Sequence, residues 1–277
     1  KALRIYDMGK KKLLRKCENK VSCYEAIRAI RTMLTNVIPL FASQSFPSCI
    51  VTLETQGLRI IVGDMQESII YATYKPAENR LLIFAEDITS RWTTAATMVD
   101  YETVAGGDKF GNVWLSRMDT AVSKTVDEDP TGLTIVHEKP YLQGAPHRTE
   151  LIAHYHLGDI VTSMSKASLV PGARDVLIYT CLGGTIGVLV PFISKEDVDT
   201  VTTLEMHMRQ ENLSLVARDH LAYRGYYAPM KGIVDGDLCE SFGLLPAARQ
   251  ATIAEELDRS PAEINKKLDQ LRTTSAF

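Results

Sequence analysis

Few residues of this chain have types and spacings that could do chemistry, and each has a competing structural use. His154-Tyr155-His156 puts two imidazoles on one face of a strand, because side chains alternate with period two, and such a pair can begin a zinc site. No cysteine or carboxylate stands at ligand spacing, and the nearest other imidazoles, His137 and His147, fall in a loop, so no metal is expected. Gly183-Gly184-Thr185-Ile186-Gly187 is similar to a phosphate-cradling loop, yet it lies between strands without a helix start or a Lys-Ser/Thr pair. A hairpin turn needing positive φ at Gly183 or Gly184 explains it, and no cofactor is expected. Asp235 and Asp237 flank Gly236 as paired acids would, but a turn capping a helix start accounts for them. No Ser-His-Asp or Cys-His set has a recognisable local signature, so the chain does not read as an enzyme. Lys10 to Lys16 form a basic hairpin, which either guards a sheet edge or makes a minor RNA contact. Tyr223-Arg224-Gly225-Tyr226-Tyr227 is the densest run of aromatics with arginine, the composition of buried interface centres. Tyr223, Arg224, Tyr226 and Tyr227 are therefore candidates for a partner interface or for packing of a helical domain on the last strands.

The elements that must position these residues announce themselves by repetition. Gly63-Asp64-Met65-Gln66-Glu67-Ser68 and Gly107-Asp108-Lys109-Phe110-Gly111-Asn112 lie 44 residues apart, each between short apolar runs. That is strand, tight turn, strand, at the period of one four-stranded propeller blade. A degenerate third copy runs from Val176 to Val190. Residues 45 to about 192 are expected to hold at least three antiparallel blade-like sheets and no helix beyond about two turns. Asp119 to Lys139, with its acidic Asp127-Glu128-Asp129-Pro130-Thr131-Gly132, reads as a surface loop.

Composition changes after Phe192. Ser194 and Asp197 make a capping box ahead of Val198, Val201, Leu204 and Met208. Ser260, Pro261 and Glu263 open a last helix whose Ile264, Leu268 and Leu271 share one face, predicted to dock on the propeller. The fold class is thus mainly β, a partial seven-bladed β-propeller of about three to four blades over residues 1–192, with a small α-helical C-terminal domain over residues 193–277. Leu3 already reads as strand, so the chain is expected to be a fragment cut inside a blade. One segment fits neither pattern. Val21 to Gln44 has helix-like apolar spacing, Val21-Ser22 can be coded GTAAGT, Leu34-Thr35-Asn36 can spell a branch-site sequence, and Gln44 can be CAG. The 24 codons keep the frame, so residues 21–44 read as an unspliced intron; the alternative is a true helical insertion.

The 277 residues carry a net charge of -3, which gives no global basic footprint of a duplex binder. Five scattered cysteines without a Cys-x-x-Cys pair fit reduced thiols of cytosol or nucleus. No apolar run is long enough to span a bilayer.

The run from Arg4-Ile5-Tyr6-Asp7-Met8-Gly9-Lys10 to Lys20 and the string Thr103-Val104-Ala105-Gly106-Gly107-Asp108-Lys109-Phe110-Gly111-Asn112 closely resemble the splicing factor 3b subunit 3 family. So do Val126 to Gly132, Leu204 to Arg209, Val234 to Glu240 and Glu255 to Arg259. The resemblance covers the chain except residues 21–44, and falls on the carboxy-terminal part of a longer protein with three seven-bladed propellers and a terminal helical domain. The large damaged-DNA-binding and cleavage-and-polyadenylation specificity subunits share that architecture. The resemblance implies a non-catalytic nuclear scaffold of the U2 small nuclear ribonucleoprotein, supporting branch-site recognition. Its implied partners are the other splicing factor 3b subunits, above all the HEAT-repeat subunit, with RNA contact indirect or minor. The alternatives are a cullin ubiquitin-ligase adaptor or a 3′-end cleavage factor subunit.

Overall fold

The computed structural model describes residues 2–7, 12–18, 20–22, 43–78, 80–132, 144–169, 171–172, 174–212, 219–226 and 228–273. Two small antiparallel pairs come first. β1 (Ala2–Asp7) pairs with β2 (Lys12–Glu18), placing strands at both ends of the basic hairpin, and β3 (Lys20–Ser22) pairs with β4 (Ser43–Ser45). Residues 23–42, most of the helix-like insert, lie outside the described residues.

Three blade-like sheets follow. The first holds β5 (Ile50–Gln56), β6 (Arg59–Asp64), β7 (Ser68–Lys75) and β8 (Arg80–Glu86) as an antiparallel meander. The second holds β9 (Thr93–Met98), β10 (Thr103–Asp108) and β11 (Asn112–Arg117). Its fourth strand arrives only after an excursion through α1 (Thr120–Glu128) and β12 (His147–Arg148), as β13 (Glu150–His156). β14 (Val161–Ser168), β15 (Asp175–Cys181) and β16 (Ile186–Leu189) make the third sheet. The repeated Gly-Asp strings are the β6–β7 and β10–β11 hairpins, and the third copy is β15–β16.

The buried aspartate of each Gly-Asp string closes its own turn. Asp64 accepts from the backbone N–H groups of Gln66 (2.9 Å) and Glu67 (3.2 Å), and Asp108 from those of Phe110 (2.8 Å) and Asn112 (3.0 Å). Gly107 is required by close approach, because a Cβ there would stand 2.5 Å from Val161 Cβ on the third sheet. Sheets stack face to face through apolar side chains. Ile61, Ile69, Tyr71 and Phe84 of the first meet Ala96, Val104 and Trp114 of the second. Ala105 and Val113 of the second meet Val161, Met164 and Leu177 of the third.

Two expectations need correction. Asp119 to Lys139 is not wholly a loop, and α1, with nine residues, exceeds two turns at 3.6 residues per turn. The acidic composition hid an amphipathic helix. Asp119 caps it by accepting from Ala121 N, and Val126 is buried against the first two sheets. Two buried cations from the first sheet hold the helix down. Arg59 donates to Ser123 Oγ (2.9 Å) and Asp127 Oδ1 (3.2 Å), and Lys75 donates to the carbonyls of Val126 and Asp129, both at 2.5 Å. The sheets are also not purely antiparallel, since β12 returns from this excursion and pairs parallel with the end of β8.

The rest is helical: α2 (Lys195–Glu211), α3 (His220–Arg224), α4 (Gly236–Glu240) with a 3₁₀ turn over Ser241–Leu244, α5 (Ala247–Glu256) and α6 (Pro261–Thr273). Ser194 accepts from Glu196 N at the start of α2, and Asp235 accepts from Leu238 N at the start of α4. Val201, Leu204, Met208, Leu238, Phe242, Ile253 and Ile264 form a core to which, among the described residues, no strand residue contributes.

Candidate functional site

The aromatic and arginine run lies where the helical segment meets the second sheet. α3 delivers Arg224 onto the end of β13, where its Nη1 donates to the carbonyl of His156 at 3.1 Å. Its Nε donates to Asp235 Oδ2 at 2.9 Å, and its guanidinium lies over the rings of Tyr155 (4.7 Å) and Tyr223 (5.2 Å). Asp235 gathers the remaining polar groups. It faces His220 Nε2 at 3.0 Å and takes a hydrogen bond from the Tyr155 hydroxyl. Its backbone N–H donates to Glu205 Oε1 of α2 at 3.2 Å. Burial alone would push the Asp235 carboxyl up. The Tyr155 hydroxyl, the Arg224 guanidinium, the Leu238 N–H and His220 together hold it below its ordinary range. Burial pushes the Tyr155 phenol well up, so it stays a donor.

The two strand histidines belong to this joint. His156 stacks on Tyr226, with ring centres 4.8 Å apart, and meets Tyr223 edge-on at 5.6 Å. Its Nδ1 contacts Asn112 Oδ1 at 2.9 Å, and Asn112 Nδ2 donates to Asp108 Oδ2 at 2.9 Å. A polar chain therefore runs from the repeated Gly-Asp turn to His156, and ring stacking continues it to Tyr226. Burial and then Arg224 lower the His156 pKa; burial and then Arg91 lower that of His154. Both favour neutral imidazole at physiological pH. His154 exchanges backbone hydrogen bonds with Lys231, which fastens the segment after α3 along the outer edge of β13. Among the described residues, no group of three His, Cys, Asp or Glu side chains is arranged to hold a metal ion.

The structure thus brings Tyr223, Arg224 and Tyr226 together, while Tyr227 lies outside the described residues. Ile264, Leu268 and Leu271 are elsewhere. They pack into the helical core beside Val201, Leu204 and Phe242, so the face of α6 predicted to meet the blades meets other helices. Gly183 and Gly184 form the β15–β16 turn, with φ of +90° at Gly184, and Gly183 N donates to Asp159 Oδ2 at 2.8 Å. Asp237 stands in the first turn of α4.

Sequence reasoning missed a second feature, a rim made by the turns at one end of the sheets. Ser90 Oγ donates to Glu67 (3.2 Å), Lys109 N to Trp92 O (3.0 Å) and Leu157 N to Gly111 O (2.7 Å). Four connections are thereby tied side by side, and the bond from Gly183 N to Asp159 Oδ2 adds the β15–β16 turn as a fifth. Large apolar side chains stand exposed on them: Ile88 (67% exposed), Trp92, Phe110 and Leu182 (69%). Lys109 Nζ sits 3.2 Å from the centre of the Trp92 ring. Tyr226, 58% exposed, extends the surface from the helical side. The available signal was an aromatic in a tight turn, Phe110 between Asp108 and Gly111, where turns ordinarily carry polar residues.

Residues 1–244 match the family described as the CPSF A subunit region. The chain is 59% identical over 272 residues to "Pre-mRNA-splicing factor RSE1" of Mycosarcoma maydis, a match covering 98% of this chain and 20% of that protein. It is 48% identical to "Probable splicing factor 3B subunit 3" of Dictyostelium discoideum, over 99% of this chain and 20% of that one. It is 46% identical to "Splicing factor 3B subunit 3" of Danio rerio, over 100% of this chain and 21% of that one. The chain spans about a fifth of the length of these curated relatives. With its blade-like sheets and trailing helices, it belongs to the CPSF A subunit region family.

Proposed function

We propose that this chain is part of a non-catalytic scaffold subunit of the splicing factor 3b complex, acting in the nucleus within the U2 small nuclear ribonucleoprotein. The observation that carries this reading is the 59% identity, across nearly the whole chain, to a protein named as a pre-mRNA-splicing factor. The surface is consistent with such work. Exposed apolar and aromatic residues on a rim of hydrogen-bonded turns present a rigid contact face, as a scaffold requires. Its partners are other subunits of the complex, the HEAT-repeat subunit first among them, and RNA contact is minor. Residues 1–192 serve as blades and residues 193–277 as a helical domain. No helix among the described residues is long and apolar enough to cross a membrane.

Residues 21–44 are proposed to be absent from the mature protein. Lys20 and Ser45 stand opposite each other in the β3–β4 ladder. Removing the segment would bond two residues that are already about 5 Å apart, against about 3.8 Å for neighbours in a chain. Sequencing reverse-transcribed message across Lys20 to Ser45 tests this; retention of the 24 codons in most transcripts would refute it.

Affinity capture of the tagged protein at its natural locus, followed by mass spectrometry, tests the function. Co-purification of branch-site-binding spliceosomal subunits is expected. Recovery of a cullin, or of 3′-end cleavage factors, in their place would overturn the reading.

A further inference from the structure

Eleven prolines punctuate this chain, and only Pro261 follows a serine or threonine. Ser260 is exposed in the short connection between α5 and α6. Its Oγ accepts from Glu263 N at 3.3 Å, and its own N–H donates to Glu263 Oε2 at 2.8 Å, a reciprocal box at the start of α6. Hydrogen bonds from the Ser260 backbone and side chain hold the Glu263 carboxyl below its ordinary range, so an anion sits beside the hydroxyl. The neighbouring Arg259 donates from Nη2 to Glu196 Oε1 at 2.6 Å. Lys267 Nζ pairs with Asp197 Oδ1 at 2.6 Å. Both acids lie in the first turn of α2, the helix the chain enters soon after β16. Two ion pairs, one from the residue before Ser260 and one from the middle of α6, therefore fasten the point where strands give way to helices.

We propose that Ser260 is a phosphorylation site for a proline-directed protein kinase, and that its phosphate draws Arg259 from Glu196 and loosens the start of α2. In the transfer, Ser260 Oγ bonds to the γ-phosphorus of ATP. The bond from that phosphorus to the β–γ bridging oxygen breaks, ADP leaves, and the hydroxyl proton passes to the kinase's base. The new group carries about -1.5 to -2 charges at neutral pH. It cannot share the box with the ionised Glu263, so the box opens. Arg259 is the adjacent cation, and a dianionic phosphate attracts a guanidinium more strongly than the single carboxylate of Glu196 does. Pro261 has no N–H to offer the phosphate, and Arg259 is the cation next to it in sequence.

The test uses the full chain with ATP and a purified cyclin-dependent kinase, with a peptide of residues 255–265 as a competent control substrate. One phosphate per chain is expected, mapped to Ser260 by mass spectrometry, and none in Ser260→Ala or in Ser260→Asn, which retains a helix cap. Phosphorylation should then speed amide hydrogen exchange over residues 196–199 by about threefold or more. In Arg259→Gln that exchange should already be fast and should not change further. Phosphorylation of the peptide but not of the folded chain would overturn the site. Phosphate at Ser260 with unchanged exchange over 196–199 would overturn the release.

Discussion

The helical segment has two attachments of opposite character. Inside, Phe242, Leu204, Met208 and Ile264 form an apolar core with no strand residue in it among the described residues. Outside, the joint to the blades is polar: Arg224, Asp235, His220, Tyr155 and His156 meet through hydrogen bonds and ring contacts. The apolar contact is non-directional and supplies stability. The polar one has few acceptable geometries and supplies orientation. Damage to each should therefore read out differently.

The largest effect is expected from the core. Phe242→Ala, at a fully buried position, should cost about 3–5 kcal/mol and unfold the helical segment while the sheets persist. Urea melts followed separately by helix and strand signals check this; simultaneous loss of both would erase the distinction between the attachments.

Arg224→Ala comes next. It removes the charge-assisted hydrogen bonds to Asp235 and to the carbonyls of His156 and Leu157, and should cost about 2–3 kcal/mol. Hydrogen exchange should rise over residues 219–235 and stay unchanged in α5 and α6. Equal acceleration throughout the helices would mean that the joint also holds the core together.

Acid should act on the joint alone. The folded-state pKa of His156 is lowered from 6.5, so its contribution is fully present above that value and is lost as pH falls toward and through the folded value. Asp235 is also lowered, from 3.8, so its contribution persists through that window and goes only in stronger acid. Between pH 7.5 and 5.5 the joint should loosen with the helical core intact, read as quenching changes at Tyr223 and Tyr226. His156→Asn should reduce the response and leave the part that His154 contributes. A response of the same size in that variant would assign it to another group.

Trp92→Ala has the smallest expected effect on stability, within about 1 kcal/mol, because the ring is partly exposed. It should nevertheless reduce capture of splicing subunits. A normal capture yield would separate the rim from partner binding and leave the joint as the better candidate surface.

The repeated Gly-Asp hairpins were legible because their determinants are local: the aspartate caps a turn only a few residues away. Helix starts at Ser194 and Ser260 were legible for the same reason. α1 was not, since its acidic run looks solvated until Arg59 and Lys75 are seen beneath it. The aromatic run was visible by composition. Its target was not, because Arg224 and His156 are 68 positions apart and no short pattern links them. The Leu268 face was read correctly as apolar, but spacing alone cannot say which neighbour an apolar face will meet.

The grip of the first sheet on α1 has a consequence during synthesis. Lys75 finds its acceptors 51 and 54 positions further along, and Arg59 finds its side-chain acceptors 64 and 68 positions along. At about 5–20 residues per second, a ribosome needs several seconds to deliver them. Through that interval β5 to β8 can pair as strands while two cations destined for the interior remain in water. The first blade is therefore a borrower from its successor, and the pace of translation across residues 76–129 sets how long its surface stays open to chaperones.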